Sequence, residues 1–499
     1  MKKDEMEKLL RIGVLLSSER DLNRLLERIL ECVMELTRCD AGTLYLLEEG
    51  KLWFRIMRNH TLKTYSGANG EIPDLPPVAL TRESVCALAV LDNKTIRIED
   101  VKHCREYDLT GPIRYDAITG YNTVSMLVVP MCSREGEAIG VLQLINAMDK
   151  AGNICASAED MALVLESVAS QAAITIQNVR YMAEIRELFQ SFVRVMSSAI
   201  DQRTPYNANH SRRMAECGER FADFLNAHAE GENREIPFSA KHKEELVMSI
   251  WLHDVGKVVT PLEVMDKSRR LSPLQEERLK NRIRNIGLAA QIDCLEGRIT
   301  HQELEAVLQD TRAVAERINE INRAGFLTDD KLAWLDGLKA RTYLDQGTIR
   351  PWLTEEEYAM LSIRKGTLSS EERKIMEDHV TVTDRLLSQI NFSKDLSHVR
   401  EWAAAHHELL NGSGYPNHRR GDEIPMEVRV ITILDIFDAL VADDWPYKPG
   451  MPVSRALSIL ESMAEKEGKL DPELTRLFIE SKCWEGIAPS QENKEKEVR

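Results

Sequence analysis

A chain of 499 residues is too long for one hydrophobic core, so two or three domains are expected. A formal net charge of −16, with 43% hydrophobic and 29% charged residues, argues against nucleic-acid polymers and anionic membranes as partners, and no stretch has the apolar length of a membrane span. Nine cysteines without CxxC spacing read as reduced thiols, and no signal peptide is evident in the charged N-terminus, so a cytoplasmic protein is expected.

Residues 20–36 carry Leu22, Leu25, Leu26, Ile29, Leu30, Val33, Met34 and Leu36 at a helical period. The pattern then changes: runs over 41–47 and 52–56, joined by Glu48-Glu49-Gly50, predict a β-hairpin. The β-rich runs 123–131 and 139–146, joined by a turn containing Gly136, predict two further strands. A long helix is expected from the capping signal Ser157-Ala158-Glu159-Asp160 past Asn178. Helix, antiparallel sheet and helix make an α+β domain. The order and wording of these segments resemble a GAF domain over residues 17–180, most closely at Tyr115 to Thr123 and Gly140 to Asn146. That resemblance implies a pocket on the sheet for a small-molecule ligand of unknown identity, cyclic nucleotides among the candidates. A dimerisation module with an empty pocket is the competing reading.

Residues 181–203 form a connector in which Met182, Ile185, Phe189, Phe192, Met196 and Ala199 recur at alternating spacings of three and four. This heptad seam predicts a parallel two-helix stalk in a homodimer; the alternative is that the stripe packs inside the next bundle. From Thr204 onward the period is nearly all helical. Within that region, residues 272–366 form charged amphipathic helix without metal-type clustering, and they are expected to be a helical insertion that splits the second domain. His301 stands alone there and reads as a surface side chain. Residues 486–499 are a charged tail.

Two dipeptides carry the chemistry. His253-Asp254 lies in Trp251 to Lys257, and His406-His407 opens a segment ending Gly412-Ser413-Gly414-Tyr415-Pro416. Imidazoles and carboxylates suit first-row divalent metals, and two such pairs can hold two ions for hydrolysis of a phosphodiester. On a helix His253 and Asp254 diverge by about 100°. Lys257, at i+3 from Asp254, shares its face and is a candidate to hold a phosphate oxygen. The imidazoles of His406 and His407 diverge, which suits two different ions, and Glu408 is a candidate to orient a ligand. Asp435, inside the apolar run 430–440, is costly unless paired or bound to metal. Asp438, at i+3, could join it or bond to backbone.

The order of these segments resembles the HD-GYP family of metal phosphohydrolases. The resemblance runs from Asn207 to Ser481 and rests on Asn209 to Met214, His253 to Pro261, Leu368 to Glu372, Glu377 to Val380, His406 to Pro416, Asp435 to Leu440 and Pro446 to Lys448. It implies a helical domain over 204–485, interrupted by the insertion. It also implies metal ligands His210, His253, Asp254, His379, His406, His407 and Asp435, holding two divalent ions, iron or manganese. Asp254 and Lys257 would be catalytic, and Lys257, Gly414, Tyr415, Pro416 and Lys448 would meet the substrate, with Tyr415 stacking on a base or bracing the loop. The implied reaction is hydrolysis of cyclic di-GMP to linear pGpG or to GMP.

Three positions depart from the family pattern. Tyr206 stands where three-metal members place Glu, hence two metals; Asn411 replaces an Asp in the loop; Trp445 replaces an Arg before Pro446-Tyr447. The last two leave open a receptor or scaffold without turnover, or a hydrolase of another cyclic dinucleotide such as 3′,3′-cGAMP. The expected architecture is therefore multidomain, an α+β sensor domain joined by a long helix to an all-α bundle with a helical insertion.

Overall fold

Asp21 starts the first helix by accepting a hydrogen bond from the Arg24 amide at 2.9 Å, and helix α1 (Leu22–Thr37) turns Leu25, Leu26, Ile29, Leu30 and Val33 inward. The computed structural model describes residues 21–67, 75–203, 209–232, 234–345, 347–442 and 450–487, with Gly13 and Glu19. These fall into two units, Met1–Phe189 and Gln190–Arg499. Tyr206, Trp445 and Lys448 lie outside the described residues, as does the tail beyond residue 487.

In the first unit, strands β1 (Cys39–Glu48) and β2 (Lys51–Asn59) form the expected hairpin. Its turn places Glu49 and Gly50 at φ 49° and 72°, the left-handed pair that a two-residue connection requires. Then come β3 (Thr64–Ser66), β4 (Val78–Ala79), α2 (Val85–Leu91), β5 (Ile96–Ile98), α3 (Thr110–Thr119), β6 (Met126–Cys132), β7 (Ala138–Ala147) and α4 (Glu159–Asp201). The antiparallel sheet has the order β3-β2-β1-β7-β6-β5, with β4 beside β2. Helix α1 and Leu165 to Ile176 of α4 share one core with Leu44, Leu127, Val129, Leu142 and Leu144 of the sheet. Tyr45, Val128 and Val141 belong to a separate core with α2. A cavity of about 530 Å³ lies there, lined by Tyr45, Phe54, Cys86, Tyr115, Tyr121 and Gln143 among others.

Helix α4 continues without a break through the connector. Of the expected seam, Met182, Ile185 and Phe192 are exposed, while Phe189 and Met196 are half-buried.

The second unit is helical around the site: α5 (His210–Gly231), α6 (Ala240–Leu252), a 3₁₀ turn (Val255–Val259) and α7 (Leu262–Met265) precede the insertion. The insertion holds α8 (Pro273–Leu295), α9 (His301–Arg323), α10 (Asp329–Lys339), a hairpin of β8 (Thr342–Asp345) and β9 (Thr348–Pro351), and α11 (Glu355–Leu361). Leu279, Ile283, Val314, Ile318, Leu335 and Trp352 give it a core of its own. The short hairpin is an addition to the helices that the sequence pattern predicts. Then follow α12 (Ser370–Glu377), α13 (His379–Leu387), α14 (Val399–Ala404), α15 (Met426–Val441), α16 (Val453–Glu465) and α17 (Pro472–Ser481). The bundle core is built from α5, α6 and α14 to α17, with Phe221, Ile250, Ile431, Leu434, Phe437 and Phe478 fully buried or nearly so. Among the described residues, no helix is long and apolar enough to cross a membrane.

Candidate metal centre

Five histidines and two aspartates, spread from His210 to Asp435 in sequence, meet inside this bundle. His210 opens α5; His253 follows the last residue of α6; His379 opens α13; His406 and His407 follow α14; Asp435 lies in α15. Two groups form within it: His210, His253 and Asp254, and His379, His406 and His407, each offering ligand atoms within 4.8 Å of one another.

The aspartates tie the groups together. One Asp254 oxygen lies 3.2 Å from His253 Nε2 and 3.7 Å from His210 Nε2. Its other oxygen lies 3.4 Å from His379 Nε2 and 3.9 Å from His406 Nε2. Asp435 stands 3.5 Å from His210 Nε2 and 3.6 Å from His407 Nδ1.

The expected geometry of His253-Asp254 needs correction. The two are not consecutive residues of a continuous helix: α6 ends at Leu252, and Asp254, at φ −99° and ψ 7°, begins the 3₁₀ turn. Side chains at i and i+3 eclipse in a 3₁₀ turn, which brings the Lys257 ammonium to 2.5 Å from Asp254 Oδ2.

Tautomers are fixed by carbonyl oxygens, which only accept. Nδ1–H of His253 donates to Ile250 O (2.7 Å), that of His379 to Met376 O (2.6 Å) and that of His406 to Ala403 O (2.7 Å). His210 Nδ1–H donates instead to Asp438 at 2.7 Å. The Nε2 lone pairs of His253, His379 and His406 are therefore left facing inward. His210 Nε2 faces His253 Nε2 at 3.2 Å, and His379 Nε2 faces His406 Nε2 at 3.5 Å. Acceptor facing acceptor at His379 and His406, beside an Asp254 Oδ1 that is buried and without a hydrogen-bond donor, is an arrangement that a cation relieves. The donor set fits a divalent metal.

Burial drives the titration of the downstream group. It lowers His406 well below the ordinary imidazole value and His379 below it, and it lowers His407 to about 3. Burial opposes charge at His210 also, but Asp438, Asp435 and Asp254 outweigh it and raise the group to about 9. Asp254 goes the opposite way to what burial dictates: His253 and Lys257 hold it well below the usual carboxylate range.

Side chains beyond the seven complete the cage. Asp438 neither joins Asp435 as a ligand nor bonds to backbone; it orients His210 and accepts from Arg213 Nε and Nη2, each at 2.8 Å. Glu408 orients no ligand. It is buried and accepts from the amides of Asn417 (2.7 Å) and Arg419 (2.9 Å), fixing the loop that follows Pro416. Thr383, in α13, donates to His253 O at 3.1 Å and accepts from the Gly256 amide at 2.9 Å; Thr432 donates to His406 O at 2.8 Å. The buried threonines carry no metal-type signal in sequence, which is why their roles were not expected, whereas Asp438 stands out in the same apolar run as Asp435 but serves His210 and Arg213 instead.

The loop residues take distinct places. The Tyr415 ring packs on the His407 ring with centroids 4.7 Å apart. A side chain on Gly414 would fall 2.3 Å from the Leu409 amide and 2.5 Å from His407 O, so the close approach requires glycine. Asn411 points away from the site: Oδ1 accepts from the Ser413 amide and hydroxyl at 2.9 and 2.6 Å, and Nδ2 donates to Glu467 O at 3.1 Å. His301 is exposed and lies in the insertion, 3.7 Å from Cys294 Sγ.

The GAF domain family model matches residues 21–176, and the HD domain family model matches residues 356–474, a segment holding His379, His406, His407 and Asp435. A 3′3′-cGAMP-specific phosphodiesterase 3 of Vibrio cholerae is 39% identical over 110 residues, 22% of this chain and 23% of the relative. A cyclic di-GMP phosphodiesterase of Thermotoga maritima is 32% identical over 164 residues, 30% of this chain and 42% of the relative. The chain thus spans less than half the length of these curated relatives. Among solved structures, the GAF domain of an Acinetobacter phosphoenolpyruvate-protein phosphotransferase is similar at 19% identity, covering 36% of this chain and 97% of that one, with a TM-score of 0.29. The chain carries a GAF domain followed by an HD domain.

Proposed function

We propose that the second unit is a metal-dependent phosphodiesterase acting on a cyclic dinucleotide, and that cyclic di-GMP is its substrate, opened to linear pGpG or taken on to GMP. The observation that carries this reading is the convergence of seven ligand-type side chains, six of them in two groups with ligand atoms within 4.8 Å and Asp435 beside both, around a buried Asp254 Oδ1 that has no hydrogen-bond partner. His210, His253 and Asp254 would hold one ion and His379, His406 and His407 the other, with Asp435 beside both groups. Iron or manganese fits the mixed imidazole and carboxylate set. When bound, two such ions supply Lewis-acid polarisation of the phosphodiester and lower the pKa of an attacking water.

The chain's own contribution is positioning and charge. Lys257, half-buried beside Asp254, is raised above its ordinary value because Asp254 and Asp435 outweigh desolvation, so it stays cationic. It would face a phosphate oxygen while Asp254 holds its ammonium in place. Net charge of −16 makes such local cations necessary for an anionic substrate. Tyr415, seated on His407, would brace the loop that Gly414 and Pro416 shape at the edge of the site, and Lys448 is the further substrate contact that the family resemblance implies.

A second substrate has a specific observation in its favour: the relative named for 3′3′-cGAMP matches at 39% identity. The receptor alternative loses one support, since Asn411 serves the loop and not the ligand cage. For the first unit, a small and largely apolar effector suits the cavity beside Tyr45, Phe54 and Cys86, and a parallel homodimer would cover Met182, Ile185 and Phe192. The test is turnover of cyclic di-GMP and 3′3′-cGAMP, at equal concentration, by chain loaded anaerobically with Mn²⁺ or Fe²⁺. Hydrolysis of either that vanishes in His253→Ala together with bound metal supports the reading. Binding without turnover by the fully loaded chain would make it a receptor.

A further inference from the structure

The last two turns of α4 and the residues just after them end on the backbone that carries the upstream ligand group. Ser197 Oγ donates to Trp251 O, two residues before His253. Asp201, buried, accepts from the Ser211 amide at 2.9 Å and the Ser211 hydroxyl at 3.0 Å, one residue after His210. Arg203 donates to Lys257 O and, at 3.2 Å, to Thr260 O, spanning the end of the 3₁₀ turn that follows Asp254.

These bonds do more than fasten a helix. Asn209, at the start of α5, makes no side-chain cap, so Asp201 supplies the missing acceptor and places a carboxyl at the positive end of the helix that presents His210. The 3₁₀ carbonyls that Arg203 gathers belong to the turn that sets Lys257 against Asp254. Among the described residues, no hydrogen bond from residues 190–203 ends on the elements that carry His379, His406 or His407.

We propose that Asp201 and Arg203 are positioning residues through which the end of α4 sets the upstream ion site and Lys257 more directly than the downstream site. This inference rests on the two-ion reading above.

The experiment is Mn²⁺ titration of the metal-free full chain by equilibrium dialysis, with thermal unfolding measured alongside. Arg203→Ala and Asp201→Asn should each weaken one Mn²⁺ site by about 10- to 100-fold, the range expected when a residue supporting a ligand is lost. The other site should stay within about twofold, with unfolding little changed. Arg203→Lys, which keeps a cation and donors but loses the planar fork, should recover part of the loss. Arg194→Ala, on the same helix and bonded to Ser191, should leave both sites as they are. Should Asp201→Asn fail to fold, Ser197→Ala must weaken the same site as Arg203→Ala. Equal weakening of both sites, or of neither, overturns the proposal. A wild-type chain that binds no Mn²⁺ removes the two-ion reading itself, a result distinguishable from any variant's behaviour.

Discussion

Asp438→Ala separates the scaffold of the metal centre from its ligands. The carboxylate is 6% exposed and takes three hydrogen bonds, one from His210 and two from Arg213. Burial alone would raise its pKa, but Arg213 and His210 lower it from 3.8 to about 2. That difference is worth roughly 2 kcal/mol at neutral pH. Because the folded value is the lower one, this contribution is complete above the unfolded value near 4 and is lost as pH falls through about 2. Truncation costs more than the titration difference, since it also takes the bidentate acceptor from a buried guanidinium; about 3 to 5 kcal/mol is expected. The metal effect is separate: His210 loses the bond that fixes its tautomer, and affinity at its site should fall about 10- to 100-fold. Adding Arg213→Ala removes the guanidinium as well, so the double variant should be more stable than additivity predicts yet bind metal no better. Urea unfolding of the metal-free chain and Mn²⁺ dialysis read the two effects. A stability loss below about 1 kcal/mol, or metal affinity restored in the double variant, would refute the assigned role of Asp438.

Gly256→Ala should destabilise the second unit by about 3 kcal/mol or prevent its folding, because the new Cβ falls 1.9 Å from His379 O and 2.7 Å from the Thr383 amide, both backbone atoms. A thermal melt with an unchanged midpoint would contradict the packing described. Tyr415→Phe should keep turnover near wild type, since the ring rather than the hydroxyl meets His407, whereas Tyr415→Ala should lower kcat by about tenfold, the scale of a lost aromatic contact; equal losses in both variants would assign the role to the hydroxyl. Replacing residues 268–366 with a short Gly-Ser bridge should preserve both Mn²⁺ sites. The two ends of the insertion already touch, with the Thr367 hydroxyl donating to Lys267 O at 2.7 Å, and loss of metal binding in the shortened chain would show that the insertion supports the cage.

Much of the site was legible because metal chemistry constrains residue type. His253-Asp254 and His406-His407 announce themselves as pairs, and Asp435 stands out as a carboxylate in an apolar run. His210 and His379 do not: each is a single histidine in a polar segment, and only the resemblance singles them out. What was not legible depends on how backbones approach one another. Thr383 and Thr432 read as ordinary helix residues, yet their hydroxyls hold the carbonyls of His253 and His406. In the first unit, the hairpin and the two long strands follow from β-rich runs and a glycine turn, while β3, β4, α2, β5 and α3 are short and lack a clear period. Those pieces supply Val78, Val85, Cys86 and Tyr115 to the cavity, so the pocket was less readable than the sheet beneath it.

The two ligand groups are separated in sequence by the insertion, and their mutual placement is fixed by residues that touch no ion. Thr383, one turn after His379, bonds to both His253 O and the Gly256 amide, and Gly256 admits the α13 backbone because it has no side chain. This junction sets the distance between the groups without any metal, so an incoming cation meets side chains already ordered. Affinity then reflects little ordering cost, and the insertion can carry its own core without disturbing the cage, because Lys267 and Thr367 close its neck. Residues 210–254 lie upstream of the segment that the HD domain family model matches. Three of the seven proposed ligands therefore join the four in the matched segment through a threonine, a glycine and two aspartates, and the chemistry of the site depends on that junction as much as on the imidazoles.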